Sequence, residues 1–168
     1  MQEFTTQIGE SFVGDGAHAA HINTVLGAKG GPVETAWATA LATPRTGHAA
    51  FLTTIRPGLP VKPMTLFVNK ATLDDEGHSG LTWGAAQAGV ASGVLWAVED
   101  GIIEVDHLDD LLLIAAVWVD PAATEESAVY GNNRQATRDA LANGAIRHPS
   151  WPGLREVRDA PANAFYRP

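Results

Sequence analysis

The nine residues from Leu111 to Val119 are apolar without interruption. A strand with one wet face alternates polar and apolar side chains, and nine residues are short for a helix, so this run predicts a strand buried at the centre of a sheet. The rest of the chain has to supply its neighbours and its cover.

Two strands are predicted near the start. Phe4 to Val13 is rich in β-branched and aromatic residues, with Gly9 read as a bulge, and Gly14-Asp15-Gly16 is a turn that folds the next segment back as a hairpin. In that segment strand alternation sets His21, Asn23 and Val25 on one face and Ile22, Thr24 and Leu26 on the other. An imidazole and an amide two residues apart on an otherwise apolar strand require partners, whether side chain, backbone or ligand.

After a glycine-rich connector, Pro32 opens a helix that Val33, Trp37, Ala40 and Leu41 continue until Pro44. The connector lacks the endings of a P-loop or a dinucleotide fingerprint. His48 to Ile55 reads as a third strand, with Leu52 on one of its faces. Pro57 to Pro63, with three prolines, reads as a rigid extended loop. A fourth strand is predicted over Leu66 to Thr72, where Lys70 and Thr72 extend the face of Leu66 and Val68 as a second polar pair.

From Ser79 to Asp100 the spacing turns helical, and the stripe Trp83, Gln87, Val90, Val94, Ala97 holds one polar member, Gln87. Glu104 to Asp110 is a short acidic helix or turn, and Ser127 to Ile146 is a last amphipathic helix. The tail from about residue 147 shows no periodicity and is expected to be irregular, held down by Trp151, Phe165 and Tyr166. The order β, β, α, β, β, α, β, α predicts an α+β domain, a two-layer mixed sheet with helices on one face, over residues 1–168 as a single unit.

Composition removes several functions. A net charge of -8 argues against nucleic acid, and with no cysteine there is neither a thiolate nucleophile nor a Cys-based metal site. His18, His48, His78, His107 and His148 lack the i, i+4 pairing of a helical metal site and read as surface or loop residues, so no metal is expected. No apolar segment is long enough to span a bilayer, and Met1 to Thr6 has no basic region followed by an apolar core, which makes the cytoplasm the expected location.

The blocks Gly14-Asp15-Gly16, Ala20-His21-Ile22, Gly27, Pro32, Glu34-Thr35-Ala36, Leu59-Pro60, Lys62-Pro63, Thr65-Leu66, Asn69-Lys70, Ala86-Gln87, Gly89-Val90-Ala91, Glu99 and Gly101-Ile102-Ile103 occur in an order that resembles the formaldehyde-activating enzyme family. The resemblance is close over about residues 20 to 120 and thins in the last helix and tail. It implies a carbon-oxygen hydro-lyase that condenses formaldehyde with tetrahydromethanopterin, or its dephospho form, to the methylene adduct and water. The context it implies is one-carbon metabolism, methylotrophy and formaldehyde detoxification. It also implies a homopentamer with a fold like the second domain of ribosomal protein S5, and no tightly bound cofactor, the pterin being a co-substrate.

On the same resemblance His21 is the general acid, and Leu52, Lys70, Thr72 and Gln87 line the pterin site. Where the family carries a substrate-contacting aspartate this chain has Asn23, which exchanges an acceptor-only carboxylate for a donor and acceptor. Without a charge at that position His21 is expected to be a weaker acid catalyst. Two readings follow: the lyase itself, or a non-catalytic or weakly catalytic paralogue that binds a pterin or formaldehyde as carrier or sensor.

Overall fold

The structure, a computed structural model, describes residues 4–163, 166 and 167. Phe165, one of the expected tail anchors, lies outside them. Strands β1 (Gln7–Val13) and β2 (Ala20–Ala28) form the first hairpin, followed by helix α1 (Pro32–Ala42). Three short strands come next, β3 (Phe51–Leu52), β4 (Thr54–Arg56) and β5 (Leu59–Pro60), and then β6 (Met64–Asn69). Helix α2 (Glu76–Leu81) runs through a π-helical turn over Thr82–Ala86 into α3 (Gln87–Glu99). Strand β7 (Leu111–Trp118) and helices α4 (Glu126–Ala145) and α5 (Trp151–Val157) complete the order.

The main sheet has the order β1-β2-β7-β6-β3. Strand β7 lies antiparallel to β2 and parallel to β6, so the sheet is mixed and the uninterrupted apolar run is its central strand, as its composition required. Ile22, Leu26, Phe67, Leu113, Ala115 and Val117 point to one side and form the core with Val90, Val94, Val129, Ala136 and Leu141 of α3 and α4.

Two glycines set how closely this layer packs. A Cβ at Gly9 would stand 1.8 Å from the Ala140 carbonyl oxygen of α4, and one at Gly93 would stand 2.5 Å from the Arg134 carbonyl oxygen. Gly9 is therefore not a bulge. The β1–β2 register is regular from Gln7↔Leu26 to Val13↔Ala20, and the missing side chain is what lets the α4 backbone rest on β1.

The opposite side of the sheet carries Ile8, Glu10 and Phe12 of β1, His21, Asn23 and Val25 of β2, Ile114, Ala116 and Trp118 of β7, Leu66 and Val68 of β6, and Leu52 of β3. Helix α1 sits at one end of this side, where Val33 Cγ2 comes within 2.5 Å of where a Gly27 Cβ would be. Most of the face stays open, with Ile8 68% and Phe12 44% exposed.

Four sequence expectations change. The third strand breaks at Thr53, whose N–H donates to the Thr65 carbonyl while its own carbonyl accepts the Val61 N–H, so that β4 leaves the main sheet and pairs with β5. The proline-rich loop thereby contributes one side of a small hairpin turned by Gly58. Strand β6 ends at Asn69, leaving Lys70 and Thr72 beyond it. The tail holds α5, an exposed helix with no buried residue, so Trp151 does not pin it.

Candidate functional site

His21 is half-buried on the open face. Its Nε2 lies 3.0 Å from a carboxylate oxygen of Glu10, and its ring leans on Phe12 with centroids 5.9 Å apart. The hairpin register produces this contact. Glu10 pairs directly with Asn23 and Phe12 with His21, so Glu10 and His21 are diagonal neighbours on one face of an antiparallel pair. The carboxylate accepts the Nε2–H and fixes the ring's orientation.

Glu10 is the neighbour of His21 that the sequence did not disclose. The carboxylate absent at position 23 is thus present next to His21 from the adjoining strand. A second carboxylate at 23 would face that of Glu10 directly, whereas the Asn23 amide can donate to it.

Beyond His21 in the same row of the sheet stand Trp118, by the register, and then Lys70, whose N–H donates to the Val117 carbonyl at 2.7 Å. Lys70 is exposed, two strand spacings or roughly 10 Å from His21 across the sheet. The Thr72 hydroxyl donates to His48 Nε2 at 3.2 Å, and His48 Nδ1 donates to the Asn69 carbonyl at 3.0 Å. Asn69 in turn donates to the carbonyls of Gly47 (2.7 Å) and Ala71 (2.8 Å). This net holds the bend after β6, so Thr72 is fixed by a turn and not by strand alternation.

Leu52 and Gln87 sit at the far edge. Leu52 lies in a row with Leu66, Ile114 and Val25, three strands across and four residues along from His21, roughly 19 Å away. Gln87 Oε1 accepts the Thr54 N–H at 2.7 Å and so ties β4 to the first turn of α3. The π turn just before it shifts the helical phase, and Trp83, expected in the apolar stripe, is exposed. Within one chain the six candidates therefore do not meet: His21 and Asn23 lie on β2, Leu52 and Gln87 at the β3 side of the sheet, and Lys70 and Thr72 just beyond the end of β6. A cavity of about 830 Å³ opens at the other end of β2, lined by Phe4, Lys29, Glu104 and Arg147 among others, and touches none of the six.

A mixed sheet with two helices on one side carries, on its other side, a carboxylate–imidazole pair able to exchange protons, in a chain without cysteine. The particular family follows from comparison. The formaldehyde-activating enzyme family profile matches residues 8–166. A 5,6,7,8-tetrahydromethanopterin hydro-lyase of Methanosarcina barkeri is 37% identical over 160 residues, covering 95% of this chain and 90% of the relative. The bifunctional enzymes Fae/Hps of Methanosphaera stadtmanae and Methanocella arvoryzae are 40% and 38% identical over 144 and 159 residues, 86% and 95% of this chain. This chain spans only 36% and 40% of those two relatives. The chain belongs to the formaldehyde-activating enzyme family. No helix among the described residues is long and apolar enough to cross a membrane.

Proposed function

We propose that this protein is a hydro-lyase that condenses formaldehyde with tetrahydromethanopterin, or its dephospho form, to the methylene adduct and water. Its setting would be cytoplasmic one-carbon metabolism and formaldehyde detoxification. The observation that carries the reading is the Glu10–His21 contact of 3.0 Å on an open sheet face.

The chemistry needs little more than a placed acid. One pterin amine adds to formaldehyde, and the carbinolamine then loses hydroxide as water when a proton is delivered to the departing oxygen. The iminium that remains is trapped by the second amine. His21 Nδ1–H delivers the proton while Glu10 holds Nε2, a contribution on the order of 10²- to 10⁴-fold. Orientation of the two amines supplies more, with Lys70, Thr72 and Gln87 contacting polar edges of the pterin and Leu52 its flat face. No tightly bound cofactor is required by these steps.

The separation of His21 from Leu52 and Gln87 supports a site completed by a second copy, in a homopentamer. Ile8 and Phe12, apolar and exposed beside an acid–base pair, are the surface such a contact would cover. The carrier reading rested on the lost charge at position 23, and Glu10 supplies a carboxylate in its place. Methylene-adduct formation is followed spectroscopically with and without protein, and light scattering gives the mass. A rate above the spontaneous reaction, from a species of five chains, is expected. A rate equal to the spontaneous one overturns the enzyme reading, and a monomer at micromolar concentration overturns the shared site.

A further inference from the structure

His78 is out of place for a residue in the first turn of a short helix after an acidic loop: it is 2% exposed, not the surface residue its sequence context suggests. Its Nε2–H donates to the Val119 carbonyl at 2.9 Å. That bond fixes the tautomer and leaves Nδ1 as a lone-pair donor, and Nδ1 is buried with no hydrogen-bond partner among the described residues. A buried polar atom left in this state is destabilising and calls for a partner.

Two carboxylates stand beside it. One oxygen each of Asp74 and Asp75 and one ring nitrogen of His78 lie within 4.8 Å of one another. Asp75 Oδ1 also accepts the His78 backbone N–H at 2.8 Å, which holds this carboxylate at the start of α2 beside His78. With Nε2 committed to Val119, Nδ1 is the ring nitrogen left to ligate. We propose that Asp74, Asp75 and His78 bind a first-row divalent metal ion of the zinc type. The inference is independent of the function proposed above.

The donor set favours that class. One imidazole nitrogen with two carboxylate oxygens suits zinc or manganese, whereas calcium and magnesium take oxygen ligands throughout. An imidazole that ligates through one nitrogen and donates its other N–H to a backbone carbonyl is the usual second-sphere arrangement, and Val119 provides it. Metal–ligand bonds of about 2.0–2.2 Å require the three donors to draw closer than they stand; both aspartates are exposed, and Asp75 can offer its second oxygen while Oδ1 stays on the His78 N–H. Their two negative charges offset the positive end of α2, and water completes the coordination. The bound ion would tie the segment after Lys70 and Thr72 to the end of β7.

The spacing escapes a search for paired histidines because the ligands at i and i+4 are Asp74 and His78. Zinc chloride is titrated calorimetrically into the chelator-treated full chain, alongside Asp74→Asn and His78→Gln. Asp74→Asn alters only an exposed side chain and so tests the site even if His78→Gln fails to fold. One equivalent of zinc is expected to bind saturably, with affinity falling at least about 10-fold in Asp74→Asn, since losing a direct ligand costs no less than losing an outer-shell partner. No saturable binding at millimolar zinc, or an unchanged affinity in Asp74→Asn, overturns the proposal. So does equal competition by magnesium or calcium.

Discussion

Replacing Glu10 by Gln keeps the side chain's size and its ability to accept a hydrogen bond, and removes only the charge that faces His21. In a single chain the two side chains are 59% and 40% exposed. A pair that wet is worth about 0.2–1 kcal/mol, which is roughly a 1.4- to 5-fold effect on rate if all of it is used in catalysis. When a second copy covers the open face the same contact becomes a desolvated, charge-assisted hydrogen bond worth about 1.5–3 kcal/mol, or roughly 10- to 150-fold. The shared-site reading predicts the larger loss in the enzyme-dependent rate of methylene-adduct formation. It also predicts weak dependence on added salt, since a covered pair is poorly screened. Thermal unfolding of the variant should stay within a few degrees of wild type. A loss smaller than about 5-fold that shrinks further with salt would refute the reasoning, because it would place the pair in solvent during the reaction.

The packing of α4 gives a stability test. Gly9→Ala should destabilise by about 3 kcal/mol, the upper end for overpacking, because its Cβ meets backbone, 1.8 Å from the Ala140 oxygen, which cannot swing aside. For a chain of this size that lowers the melting temperature by roughly 6–12 °C. Gly131→Ala, in the same helix with nothing within 4 Å, should instead stabilise by about 0.5–1 kcal/mol in the same calorimetric scan. Gln87→Ala removes the acceptor of the Thr54 N–H and should cost about 1–2 kcal/mol in urea unfolding, and Gln87→Glu, which keeps an acceptor there, should recover most of it.

What was legible in the sequence was whatever one segment decides alone. Leu111 to Trp118 has no polar residue and could only be central. The stripe Val90, Val94 and Ala97 had to face a core, and all three are buried. What escaped was decided by contact between segments. Thr53 interrupts a good strand pattern because its backbone serves two partners, Thr65 and Val61. The alternation that carries Lys70 and Thr72 onto a strand stops at Asn69, whose side chain bonds the Gly47 and Ala71 carbonyls and bends the chain.

The site divided in the same way. His21 and Asn23 were visible as polar residues on an apolar strand, but the partner of His21 was not. Six residues connect β1 to β2, with a 3₁₀ turn over Gly16–His18, and a loop of that kind leaves the register open on paper. Only the pairing Glu10↔Asn23 brings Glu10 diagonally onto the imidazole. Gln87 was recognised as a polar member of an apolar stripe, yet its bond to the Thr54 N–H depends on a strand break that no local pattern showed.

Delivery by His21 of the proton on which loss of water depends is measured by His21→Ala in the adduct-formation assay, with pterin affinity followed separately by fluorescence. The enzyme-dependent rate should fall by about 10²- to 10⁴-fold, with pterin affinity little changed. An enzyme-dependent rate equal to wild type would contradict it.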